Sequence, residues 1–151
     1  MSRLHARISD EIEELHSFLG NWLNGRAENS DEVFNKGIRD RLGEQFFNIQ
    51  PAGILLAREE LLAQIHGGYA ASPGFKIKIR NIKVLQNFDR GQFIIAIYEE
   101  YQKNARNSPK RDNARLSTVV FENRATAPLT WLHIHETWLP AINHTSSMFE
   151  F

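Results

Sequence analysis

Phe75-Lys76-Ile77-Lys78-Ile79-Arg80 decides the fold class. Apolar and basic residues alternate here, the period-two pattern of a half-buried strand running to about Leu85. Upstream the period is different. Leu4, Ile8, Ile12, Leu15, Leu19 and Trp22 fall three or four apart and predict a helix of about 20 residues, closed by Asn24-Gly25. Asn29 and Glu32 have capping-box spacing and open a short second helix carrying Phe34, Ile38 and Leu42. Gln45 to Ile49 reads as a short strand, Pro51-Ala52-Gly53 as a turn, and Arg58 to Ala71 as a third helix with Leu61, Leu62, Ile65 and Tyr69 inward. Downstream, Asp89-Arg90-Gly91 is a hairpin turn. Strands are expected at Gln92–Lys103, Ala114–Glu122 and Thr130–Leu139, joined by a polar loop (104–113) and a connection over 123–128. Helices first and hairpin-linked strands after predict an α+β fold, three N-terminal helices on one face of an antiparallel sheet. One domain over residues 1–140 is expected, with a tail at 141–151. The aromatics Phe149 and Phe151 dock that tail on the body or on a second subunit, or it is disordered.

Composition narrows the function classes. Lys+Arg and Asp+Glu balance at 18 each, so no net field draws the chain to nucleic acid or an anionic membrane. Arg106, Lys110, Arg111 and Arg115 cluster locally, but with Asp112 among them they read as a solvated hairpin tip. There is no cysteine, which excludes disulfides, thiol catalysis and Cys-based zinc sites. The start, Met1-Ser2-Arg3-Leu4-His5, runs into a charged amphipathic pattern without the apolar stretch of a secretory leader, and no segment is apolar enough to span a membrane. A cytoplasmic protein is expected. Gly67-Gly68 lacks the surroundings of a phosphate-binding loop, so no cofactor is expected.

The closing strand, Thr130-Trp131-Leu132-His133-Ile134-His135-Glu136-Thr137-Trp138, holds the candidate chemistry. Strict alternation puts Trp131, His133, His135 and Thr137 on one face, and Leu132, Ile134, Glu136 and Trp138 on the other. Two imidazoles beside an indole suggest a half-polar pocket wall. His135 is the candidate general acid or base, oriented by Glu99 or Glu44. A metal on His133 and His135 would need a third ligand such as Glu99, and no metal is expected. The plain alternative leaves both imidazoles bonded within the wall or facing water. Phe93, Ile95, Ile97, Glu99 and Tyr101 share one face of their strand; Ile94, Ala96, Tyr98, Glu100 and Gln102 share the other. Both faces begin apolar, so the strand is central and covered twice, most simply by a second copy of the chain. The Glu99 and Tyr101 face turns polar where a pocket mouth would lie. Trp22, Trp131 and Phe46 are candidate apolar contacts to a ligand, and Tyr69, Tyr101 and His133 candidate hydrogen-bonding ones.

Three stretches resemble one family. Glu44-Gln45-Phe46-Phe47 through Pro51-Ala52-Gly53, Arg115-Leu116-Ser117-Thr118-Val119-Val120 and the Trp131–Trp138 strand are similar to motifs of the nuclear transport factor 2-like superfamily. That superfamily includes the SnoaL-like polyketide cyclases, scytalone dehydratase, the ketosteroid isomerases and the calcium/calmodulin-dependent kinase association domain. The likeness runs over about residues 5–140. It implies a cystatin-like cone: a strongly curved sheet whose concave side faces the helices around a cavity, and whose convex side is often a dimer interface. Thr137 stands where the family often has a second His, and no family catalytic set is matched. The resemblance implies a small-molecule ligand in the cavity and a homodimer through the sheet. Two functions are expected: a cofactor-free isomerase, dehydratase or cyclase on a small apolar substrate, or a non-catalytic dimeric binding module.

Overall fold

The computed structural model describes residues 2–124 and 127–151. The three-and-four spacing of the first apolar stripe becomes α1 (Arg3–Leu23), whose first turn is capped by Ser2 Oγ accepting the His5 N–H at 3.1 Å. It buries Ile8, Ile12, Leu15 and Trp22, and with them His16. Helix α2 (Asp31–Gly37) is capped by Ser30 rather than Asn29: Ser30 Oγ accepts the Val33 N–H at 3.2 Å. Ile38 lies beyond that helix, and Leu42 already opens β1 (Leu42–Ile49). After β2 (Leu55–Ala57), α3 runs from Arg58 to Gly67 only. Ala57 has no side chain that could cap it; instead the Glu60 carboxylate accepts the Ala57 N–H at 3.0 Å, half of a capping box. Gly68 ends it, its N–H donating to the Ile65 carbonyl at 3.0 Å.

The period-two half of the chain forms β3 (Lys76–Phe88), β4 (Phe93–Lys103), β5 (Asn113–Glu122) and β6 (Thr130–Trp138). Asp89, Arg90 and Gly91 make the β3–β4 turn with φ of 50°, 58° and 88°, left-handed geometry that Asp and Gly tolerate. The connection expected over 123–128 lies partly outside the described residues. The six strands form one sheet in the order β2-β1-β6-β5-β4-β3. It is mixed, not purely antiparallel as expected, because β1 lies parallel to β6. The helices pack on one face, and the α+β class is as predicted. Among the described residues no helix is long and apolar enough to cross a membrane.

A bulge in β6 corrects the alternation read from the sequence. Phe121 pairs with Trp131 but Val120 pairs with His133, so Leu132 is an extra residue. Trp131 therefore points inward with Ile134 and Glu136, while His133, His135 and Thr137 point outward. On β4 the partition is as predicted, and the inward set is Ile94, Ala96, Tyr98 and Glu100. Cross-strand rows on the inner face then run Ala96–Val119–Ile134, Tyr98–Ser117–Glu136 and Glu100–Arg115–Trp138. The first row is apolar and the last is charged. Ile8, Ile12, Val119, Phe121 and Trp131, all fully buried, centre the core at the apolar end.

The tail docks on its own sheet. The Met148 carbonyl accepts from Arg80 Nη2 at 2.9 Å, Met148 Sδ lies 3.2 Å from the Tyr101 hydroxyl, and Phe149 meets the Tyr101 ring edge-on at 5.5 Å. Phe151 reaches a crevice between α1 and the start of β3, beside Gly20, Asn24 and Ile77.

Candidate functional site

A cavity of about 200 Å³ lies between the inner face of the sheet and helices α1 and α3. Its walls are apolar: Leu15, Leu19, Ile38, Phe46, Ile65 and Ile77 among others. Its floor is not. His16 from α1, Asn48 from β1, Tyr98, Glu100 and Gln102 from β4, Arg115 from β5 and Glu136 from β6 converge there. A second cavity, of about 270 Å³, lies between the 109–113 loop and the tail, beside Trp138 and His144. It gathers no comparable set of buried charges.

Each floor residue is held in place. His16 Nδ1 donates to the Ile12 carbonyl at 2.7 Å, one helical turn back, which leaves Nε2 facing Glu100 Oε1 at 3.2 Å and the Tyr98 hydroxyl at 3.3 Å. Arg115 Nη1 lies 3.2 Å from Glu136 Oε1, and Nη2 donates to Asn113 at 3.1 Å. The guanidinium also sits over the Trp138 ring at 5.1 Å. Asn48 Nδ2 bridges the Ile134 carbonyl (3.1 Å) and Glu136 Oε2 (3.2 Å), and Gln102 donates to Glu100.

Electrostatics separates the two carboxylates. Burial would lift Glu100, but the His16 and Arg115 charges and hydrogen bonds from His16 and Gln102 outweigh it and hold the carboxyl down at about 2. Burial would lower His16, but Glu100 overrides it and keeps the imidazole above its ordinary 6.5. Glu136 goes the other way. Its burial, together with the Glu100 charge, lifts it above the usual carboxylate range despite Arg115 and Asn48. Burial first, then both carboxylates, pushes the Tyr98 phenol well above 10. Two acids whose environments drive them apart are the arrangement in which one can transfer a proton while the other stays charged.

The residues singled out in the sequence lie mostly elsewhere. Phe46 lines the cavity. Trp131 is fully buried in the core, its indole N–H on Glu11 at 2.9 Å. Trp22 is buried in an aromatic cluster and donates to the Ile65 carbonyl at 2.9 Å. Tyr69 stands edge-on to Trp22 and donates to the Ala27 carbonyl at 2.6 Å, so it ties the loop after α1 to the end of α3. Tyr101 lies under the tail on the outer face and donates to Glu99 at 2.7 Å. His133 stacks on Phe47 at 4.0 Å and bonds its carbonyl at 2.9 Å.

His135 is exposed on the outer face, and the expected pairing with Glu99 does not form. Glu99 sits in the row Glu99–Leu116–Thr137, His135 in the row Ile97–Thr118–His135. Two strands and a two-residue offset separate them by roughly 12 Å. Glu44 is exposed as well. Arg115, grouped with the hairpin-tip cations, belongs instead to the buried floor. The sequence reading missed His16, Glu100 and Glu136. A signal was present: Glu100 and Glu136 end faces that begin Ile94–Ala96 and Ile134, and His16 falls four residues after Ile12.

No protein-family model matches the chain, and no curated protein matches it. Solved structures do. A nuclear transport factor 2-like protein of unknown function from Pseudomonas aeruginosa superposes with a TM-score of 0.78 at 25% identity, covering 89% of this chain and 99% of that one. An uncharacterized cystatin-like-fold protein from Caulobacter vibrioides gives 0.67 at 12% identity over 97% of both chains. ActVI-ORFA from Streptomyces coelicolor gives 0.62 at 13% identity, over 91% of this chain and 98% of that one. With its helices on the concave side of a six-stranded mixed sheet, the chain has the cystatin-like α+β fold of the nuclear transport factor 2-like proteins.

Proposed function

We propose that the protein binds a small, mostly apolar molecule in the cone cavity and moves a proton on it without a cofactor. The observation that supports this is the charged floor, with His16, Glu100, Arg115 and Glu136 gathered at the end of an otherwise apolar cavity. Buried ion pairs add little to stability, and apolar replacements of the same volume are often as good or better. A fold that keeps two of them against a cavity has them for chemistry. Glu136, raised above its ordinary 4.5 by burial, is the proton-transfer group: base when ionised, acid when protonated. Arg115 lies where an oxyanion would be stabilised. His16 and Glu100 form a fixed pair that sets the field on Glu136 and is a positioning element. Isomerisation, dehydration and cyclisation all fit this set.

The test is an NMR fragment screen on the isotope-labelled protein, followed by Glu136→Gln in any reaction the hits suggest. Shifts gathered on Leu15, Phe46 and Ile134, with turnover lost but binding kept in Glu136→Gln, support the reading. Hits confined to other surfaces sink it.

A second reading concerns assembly. Ile95, Ile97, Leu116 and Val120 are only half-buried on the outer face, and Phe47 is 41% exposed beside them. This apolar surface suits a second copy of the chain. A homodimer by sedimentation that becomes monomeric in Val120→Glu supports it; a monomer at micromolar concentration removes it.

A further inference from the structure

The four buried charges on the cavity floor cancel, and they do so in contact. His16 Nε2 and Glu100 Oε1 are 3.2 Å apart, with side chains 4% and 6% exposed. Arg115 Nη1 and Glu136 Oε1 are also 3.2 Å apart, and both side chains are 12% exposed. The remaining polar atoms are largely engaged by Gln102, Asn113 and Asn48. We infer that the cavity takes an uncharged molecule with an apolar body and a carbonyl oxygen, and rejects anions and cations of the same shape. This rests on reading the cavity as a small-molecule site.

An entering carboxylate would bring an unbalanced charge against side chains only 4–12% exposed, which is costly unless a new partner meets it. The floor cations, Arg115 and His16, are held by Glu136 and Glu100, and taking either would strand its carboxylate. An ammonium or amidinium has the mirror-image problem, since both carboxylates are already engaged. A carbonyl oxygen has neither. Arg115 Nε is buried without a partner, a donor that a neutral acceptor satisfies without disturbing either pair. Size follows from volume. At about 30 Å³ per water the cavity holds about seven, and denser organic packing allows about ten heavy atoms.

Benzamide, benzoate and benzamidine share one planar shape and carry charges of zero, minus one and plus one. Each is titrated near pH 6.5, below the raised His16 value so that the imidazole keeps its charge, into the full-length protein, reading the methyl signals of Ile77 and Ile134. Benzamide is expected to bind at least about tenfold more tightly than either ion, a difference of about 1.4 kcal/mol. Glu136→Gln makes the floor formally positive, so the preference there should move toward benzoate. Benzoate or benzamidine matching benzamide in the wild type overturns the inference, as does a preference that Glu136→Gln leaves unmoved. If no probe moves those signals and no other neutral fragment does, the small-molecule reading of the cavity itself fails, a result distinct from loss of charge selectivity.

Discussion

Arg115→Met removes a cation that faces both buried carboxylates. Arg115 sits 3.2 Å from Glu136 and bonds Asn113, with only 12% of its side chain exposed. Removing one member of a buried pair costs about 3–5 kcal/mol, because the partner is left charged and unpaired. The lower end applies here, since Asn48 still bonds Glu136, and about 3 kcal/mol corresponds to a Tm lower by about 6–12 °C for a chain of this size. The pH dependence has a definite sign. Glu136 is already raised above its ordinary 4.5, and losing Arg115 raises it further. An acid raised in the folded state costs stability at pH above its folded value, and that cost vanishes as pH falls toward 4.5. Urea melts at neutral and mildly acidic pH should therefore show a deficit that shrinks on acidification. Arg115→Met/Glu136→Gln, with both charges gone, should recover most of the loss. A deficit below about 1 kcal/mol, or one that does not change with pH, would refute the account of a tightly paired floor.

His16 should titrate above 6.5 by NMR, and its ion pair with Glu100 sets a stability window. The His16 contribution is complete below 6.5 and lost as pH rises, whereas that of Glu100, held down at about 2, is complete above 4.5 and lost toward acid. The deficit of His16→Gln, measured by urea melts, should accordingly be largest between 4.5 and 6.5. Trp131→Phe loses the indole bond to Glu11 at 2.9 Å and should cost about 1–2 kcal/mol in thermal unfolding. Gly37→Ala would place a methyl 2.2 Å from the Phe18 ring, so it should destabilise by about 1–3 kcal/mol in the same assay.

Alternation along β4 partitions its residues correctly, yet a partition carries no sign. Nothing local states whether Glu99 or Glu100 faces the helices, because both strand faces begin with apolar residues and the choice is made by contacts from α1. His16 illustrates this: it lies on the buried side of α1, but its partner Glu100 is far away in sequence. On β6 a rule that counts by two fails at Leu132, since a bulge residue has no signature in composition, and Trp131 moves to the opposite face. The parallel β1–β6 pairing was hidden for a related reason, as the two strands meet only after the whole sheet has closed. What was legible was local: the change of period at Phe75, the Asp89-Arg90-Gly91 turn and the α1 stripe.

The two margins of the sheet have a consequence for how copies of this protein meet. A free strand edge is a template for further strands and so for aggregation. Here one margin, β2, is three residues long. The other, β3, is broken in register near Asn81, whose φ is 54°, and again near Leu85; it carries Lys76, Lys78 and Lys83, and the chain's own C-terminal segment is bonded to it at Arg80. Neither margin offers a long flat run of unpaired amides. Open-ended ribbon growth by strand addition is therefore disfavoured at both margins.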